Sequence, residues 1–62
     1  MNVAAWSMYI EMMYETKRNS EECSGCYLQL LNSAAVMEEK ECFWEVLHEF
    51  WSFAKRNQLP IL

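Results

Sequence analysis

The sequence predicts an all-α protein: two to three antiparallel helices in a helical bundle that a second copy of the chain completes. Three observations carry this expectation. Apolar residues recur every three or four positions, and no stretch alternates apolar with polar at period two. The polar breaks are only two or three residues long, so successive helices should return antiparallel. The composition is 53% hydrophobic over 62 residues, with three Trp, three Tyr, three Phe and five Met. A chain of this size buries only about 60% of its unfolded surface. One short bundle cannot hide that much apolar side chain, and large exposed apolar patches mark interfaces. Residues 1–62 form a single domain, with no internal repeat or linker.

The first helix is expected over about residues 3–18. Asn2 is a suitable N-cap, because its side-chain oxygen can satisfy a free amide of the first turn. Val3, Trp6, Ile10 and Met13 then repeat at spacings of three and four, the seam of a helix that packs on another. Ser7, Glu11, Glu15 and Arg18 mark the opposite side. Met8, Tyr9, Met12 and Tyr14 flank the seam and leave apolar surface to spare. Lys17 and Arg18 suit the negative end of the helix dipole.

Asn19-Ser20 breaks the pattern, and Asn19 with Glu22 three residues on fits a capping box. A second helix is expected over 20–32, with Cys23, Tyr27, Leu30 and Ala34 along a buried row and Cys26 and Leu31 beside it. Gly25 inside it costs roughly 1 kcal/mol relative to Ala. Asn32-Ser33 admits two readings: Ser33 caps a third helix over 34–57, or helices two and three are continuous. The tendency of Asn and Ser to favour caps points to a break.

The last helix carries the densest aromatic stretch, Cys42 to Phe53, which holds Phe43, Trp44, Phe50, Trp51 and Phe53. Its polar stripe of Glu41, Glu45, His48, Glu49, Ser52 and Lys55/Arg56 should face water. The rest falls into two adjoining apolar rows. One is Phe43, Leu47, Phe50 and Ala54; the other is Trp44, Leu47, Trp51 and Ala54, with Val46 and Phe53 to the side. That face is wider than the roughly 100° of an ordinary surface helix. Pro60 ends the helix, and Pro60-Ile61-Leu62 forms a short apolar tail able to fold back on the bundle.

The net charge of −4 comes from nine acidic and five basic residues, and the basic ones stand alone or in pairs. Nucleic-acid binding needs clustered Lys and Arg to displace counterions, so it is not expected. No run of 18 apolar residues exists to span a membrane. The first residues lack the basic start of a signal peptide, which points to the cytoplasm, where three cysteines stay reduced.

Cys23, Cys26, Cys42 and His48 form C-x2-C-x15-C-x5-H, close to the spacing of structural zinc sites. This zinc set is the alternative reading. Against it, Cys23 and Cys26 lie in a good helical sequence, and Cys42 and His48 diverge on a helix. No metal or other cofactor is therefore expected, and the thiols read as small buried apolar groups. A redox C-x-x-C would need a βαβ context that the sequence lacks. His48 with Glu45, Glu49 or Ser52 has the look of a solvated stripe rather than an acid/base set, and so short a chain has little from which to build a substrate pocket.

Trp6, Phe43, Trp44, Leu47, Phe50 and Trp51 are the candidate interface residues, because aromatic residues dominate the centres of protein contacts. Trp44 and Trp51, a heptad apart, should anchor the subunit contact of a homodimer. Met8, Tyr9 and Met12 form the more adaptable surface. Glu38, Glu39, Glu41, Glu45 and Glu49 offer an acidic rim to a basic protein partner. In length and style this compact acidic helical chain resembles the small accessory proteins of temperate bacteriophages, including those of the lambdoid early region between the exonuclease and excisionase genes. The resemblance implies a regulator in the host cytoplasm that binds a host or phage protein. It carries over no functional residue. The expected function is non-enzymatic protein binding.

Overall fold

The structure is a computed structural model that describes residues 1–60. It comprises three helices, α1 (Val3–Lys17), α2 (Ser20–Val36) and α3 (Lys40–Arg56), with no strand among the described residues. Ser7 of α1 meets Tyr27 of α2, and Ile10 meets Cys23, so these two helices run antiparallel. Ser7 also meets Glu49 of α3, and Glu11 meets Arg56, so α1 and α3 run parallel. The chain goes up, down and up again, and each helix packs on both of the others.

Local chemistry starts the first two helices. Asn2 accepts the amide of Ala5 at 3.0 Å, and Asn19 accepts that of Glu22 at 3.0 Å. Each satisfies a first-turn donor that has no partner within its helix. Glu21 and Glu22 add charge of the favourable sign at the start of α2. α3 begins at Glu39 without a side-chain cap, and Lys55 and Arg56 occupy its last turn.

The break after α2 lies at Met37–Glu39, and Asn32 and Ser33 are helical. This corrects the expected boundaries 20–32 and 34–57 and also excludes one continuous helix. Asn32 and Ser33 are exposed, so their side chains can point to water without competing for the helix backbone. The turn is instead a paired-bond ending: Glu38 donates to the Ala35 carbonyl at 3.1 Å and Glu39 to that of Ala34 at 2.9 Å. Glu38 adopts the left-handed conformation there, with φ 56°. The end of α3 repeats the arrangement through Gln58 and Leu59, which donate to Lys55 and Ala54. Neither left-handed residue is glycine, so the sequence carries no glycine signal for these endings.

The core consists of Val3, Ile10 and Tyr14 from α1, Cys23, Tyr27 and Ala34 from α2, and Val46, Phe53 and Ala54 from α3. Tyr27 is its hub. Its ring stacks on Phe50 at 5.1 Å and lies 5.3 Å from Phe53, which takes Tyr14 edge-on at 5.2 Å. Such offset and edge contacts suit the ring quadrupoles.

Two helical faces are rotated from their expected positions. On α1 the buried row is Val3, Ser7, Ile10 and Tyr14; Trp6 is exposed and Ser7 is inside. On α3, Val46 and Phe53 form the fully buried centre instead of the side, while Trp44, Leu47 and Trp51 face outward. The row expected on α2 is in place: Cys23, Tyr27 and Ala34 are buried and Leu30 is half-buried. Leu59 packs against the core; of the expected apolar tail, Ile61 and Leu62 lie outside the described residues.

Candidate functional site

α3 is apolar over roughly 200° of its circumference when its residues are placed at 100° intervals. The inner part of that arc, Cys42, Val46, Phe50 and Phe53, fills the core. The outer part, Trp44, Leu47 and Trp51, is 64%, 37% and 53% exposed. These three side chains alone leave on the order of 300 Å² of apolar surface in water. The two faces share one helix, so packing the first fixes where the second points. Phe43 bridges them: it is half-buried, and its ring meets Trp44 edge-on at 5.8 Å. Phe43 and Trp44 also line a surface hollow with Ala34 and Ala35, at the turn between α2 and α3.

A second apolar face lies on α1. Trp6 and Tyr9 form an edge-on pair at 6.1 Å and line a hollow with Asn2 and Ala5. Met8 and Met12 continue this surface and are mostly exposed. Of the six interface candidates, Trp6, Trp44, Leu47 and Trp51 are therefore exposed, Phe43 is half-buried, and Phe50 belongs to the core.

Between the helices sits a polar group that the residue pattern did not reveal. Ser7 donates to the Glu49 carboxylate at 2.8 Å and shares a 3.0 Å hydrogen bond with the Tyr27 hydroxyl. Ser7 and Tyr27 are buried and Glu49 is half-buried. Burial pushes the Tyr27 phenol above its ordinary value, with the bond to Ser7 acting in the other direction. Glu49 thus leaves the expected acidic rim and the water-facing stripe, and becomes an acceptor that joins α1 to α3. A signal for this was present. A buried Tyr requires a partner for its hydroxyl, and a polar residue turned inward from a neighbouring helix is one way to supply it.

The four residues of the alternative zinc reading, Cys23, Cys26, Cys42 and His48, are not assembled. Ser24 and Gly25 are helical and make no knuckle turn between Cys23 and Cys26. Cys23 is buried, with its thiol 3.8 Å from the Ile10 carbonyl, whereas His48 is exposed on α3. Among the described residues no three His, Cys, Asp or Glu side chains are gathered as metal ligands. Burial raises the Cys23 thiol above its ordinary value, with Cys26 and Glu22 adding to the shift. The Cys42 thiol is raised by the nearby Glu39 carboxylate and by burial. Both shifts favour the protonated thiol, the poorer nucleophile and ligand.

Charged contacts tie α1 down near its start and at its middle. Arg56 bonds Glu11, and the Met1 amine lies 4.0 Å from Glu39. Arg18 sits over the Tyr14 ring at 5.4 Å. His48, Glu45 and Glu41 are exposed on α3. No helix of the described residues is long and apolar enough to cross a membrane. Comparison with protein-family models, curated proteins and solved structures finds no match.

Proposed function

We propose that this chain is a non-enzymatic protein-interaction module that associates with a second copy of itself and presents a further apolar surface to a protein partner. The observation that carries the proposal is the exposure of all three tryptophans. Trp6, Trp44 and Trp51 are 46%, 64% and 53% exposed although the core is otherwise filled by aromatic and aliphatic residues. Tryptophan is among the residues most enriched at the energetic centres of protein contacts, and a cluster of several on one small domain is costly to leave in water.

The two faces take different parts. Trp44, Leu47 and Trp51 stand on a regular helix and supply a rigid contact for the second copy. The Met8, Tyr9 and Met12 surface beside Trp6 supplies adaptable contacts, since methionine repacks readily against different shapes. The exposed members of the acidic rim, Glu38, Glu41 and Glu45, favour a basic partner, as does the net charge of −4. The resemblance in length and style to phage accessory proteins extends the proposal to a regulator of a host or phage protein.

Sedimentation equilibrium from low to high micromolar concentration tests the self-association. The expected result is a reversible dimer, with an unfolding midpoint that rises with protein concentration. A monomer across the whole range would remove the dimer from the proposal. For the partner surface, the test is capture of a protein from a host lysate by the immobilised chain, compared with Met8→Glu/Met12→Glu. Equal capture by both would place partner binding elsewhere.

A further inference from the structure

The charges beside Trp44, Leu47 and Trp51 indicate what covers that face. This step rests on the self-association proposed above. With Trp44 and Trp51 seven residues apart on α3, Leu47 stands between them. Glu41, His48 and Lys55 then share one flank at the same seven-residue spacing, while Phe43 and Phe50 share the other, toward α2. All three residues of the first flank are exposed. Among the described residues neither Glu41 nor Lys55 takes part in an ion pair.

That flank reads negative, neutral, positive along the helix. A partner helix of a single charge sign would be repelled at one end of it. A parallel second copy would set Glu41 against Glu41 and Lys55 against Lys55. An antiparallel second copy, related by a two-fold axis perpendicular to both helices, brings each flank onto its own equivalent. Glu41 then lies beside Lys55 of the second copy, twice, and His48 lies beside its own equivalent near the axis. The same arrangement packs Leu47 against Trp51 of the second copy, also twice. The area available is small beside the roughly 800 Å² per partner of a standard interface, which suits a reversible contact rather than a permanent one.

We propose that the chain self-associates through an antiparallel contact of α3 with α3, with Trp44, Leu47 and Trp51 at its centre and Glu41 paired with Lys55 of the second copy on either side of the axis. The partner is thus a second copy of this chain, and the charge order along the helix selects its direction.

A charge-swap series measured by sedimentation equilibrium tests this. Glu41→Lys and Lys55→Glu each place two like-charge pairs across the axis and should each raise the dissociation constant roughly tenfold. The double variant restores both pairs and should return to within about threefold of the parent chain. A mixture of the two single variants should associate with each other in preference to themselves. Both positions are exposed, so far-UV circular dichroism should show unchanged helix content in every variant. If both single variants associate as the parent does while Trp51→Ala is monomeric, self-association stands and the antiparallel pairing is overturned. If Trp51→Ala also associates normally, the contact lies off α3 and the proposal fails. A parent chain that is monomeric at high micromolar concentration refutes this inference and the self-association beneath it together.

Discussion

The two aromatic faces of α3 lie side by side on one helix and have opposite fates. Val46 and Phe53 are fully buried, with Phe50 stacked on Tyr27, while Trp44 and Trp51 stand in water. Hydrophobicity does not separate them, since tryptophan offers more apolar area than valine. The neighbours do. The inner face meets Tyr14, Tyr27 and Cys23, which arrive at fixed places because the turns after α1 and α2 set the helix directions. The outer face is left largely uncovered by the described residues. What the pair teaches is that a small core is chosen by rotation: once one face of α3 docks, the adjoining face is left exposed.

The largest expected effect tests that division directly. Phe53→Ala opens the centre of the core and should cost about 3–5 kcal/mol in urea unfolding, enough to leave a domain of this size largely unfolded. Trp51→Ala, two positions away, should change the stability of the dilute monomer by no more than about 0.5 kcal/mol. Its effect should appear only as lost self-association. Equal costs for the two at low concentration would mean that the outer face is structural, and the division would break.

α1 supplies the same contrast through a polar residue. Ser7→Ala leaves the Tyr27 hydroxyl and the Glu49 carboxylate without their common partner and should cost about 1–3 kcal/mol. Trp6→Ala beside it should cost less, although it removes far more side chain. The sequence pattern suggested the reverse. Finding Trp6→Ala the more damaging would show that its ring is covered, in the monomer or by another copy.

How much of this was legible follows from how local each cause is. The caps at Asn2 and Asn19 depend on residues three positions away and were readable. So was the buried row of α2, because that helix has a distinct polar side. The rotations of α1 and α3 were not, because apolar residues surround most of each helix and many phases satisfy the pattern. Ser7 is held inside by Tyr27 and Glu49, which are 20 and 42 residues distant in the chain. The break after Val36 depends on left-handed Glu38, a residue type that gives no such signal, whereas the more visible Asn32-Ser33 lies harmlessly on an exposed side. The spaced cysteines show the same dependence: their spacing implies a metal knuckle only if the backbone turns, and the helical sequence around Cys23 and Cys26 keeps it helical.

Alkaline pH should sharpen the account of the inner face. The Tyr27 phenol lies above its ordinary value of 10.0 and the Cys23 thiol above its ordinary 9.0. As pH rises past 9 and then 10, the unfolded chain loses these protons before the folded one does. Stability from this source is therefore full below pH 9 and declines as pH climbs through the folded values. In urea unfolding, Tyr27→Phe should remove the part of the decline that sets in above pH 10. An unchanged profile would assign the alkaline loss to other groups.

The smallest effect asked for tests how far the contact surface extends. Gly25 lies in α2, half-exposed, and a Cβ added there would meet nothing within 4 Å. Alanine at that position should act only through the backbone, raising monomer stability by about 0.5–1 kcal/mol. If the second copy sits on α3 alone, Gly25→Ala should leave the dissociation constant unchanged, because the added methyl group lies outside the contact. A weaker dimer would draw this side of α2 into the contact, and the outer face of α3 would no longer be the whole of the proposed interface.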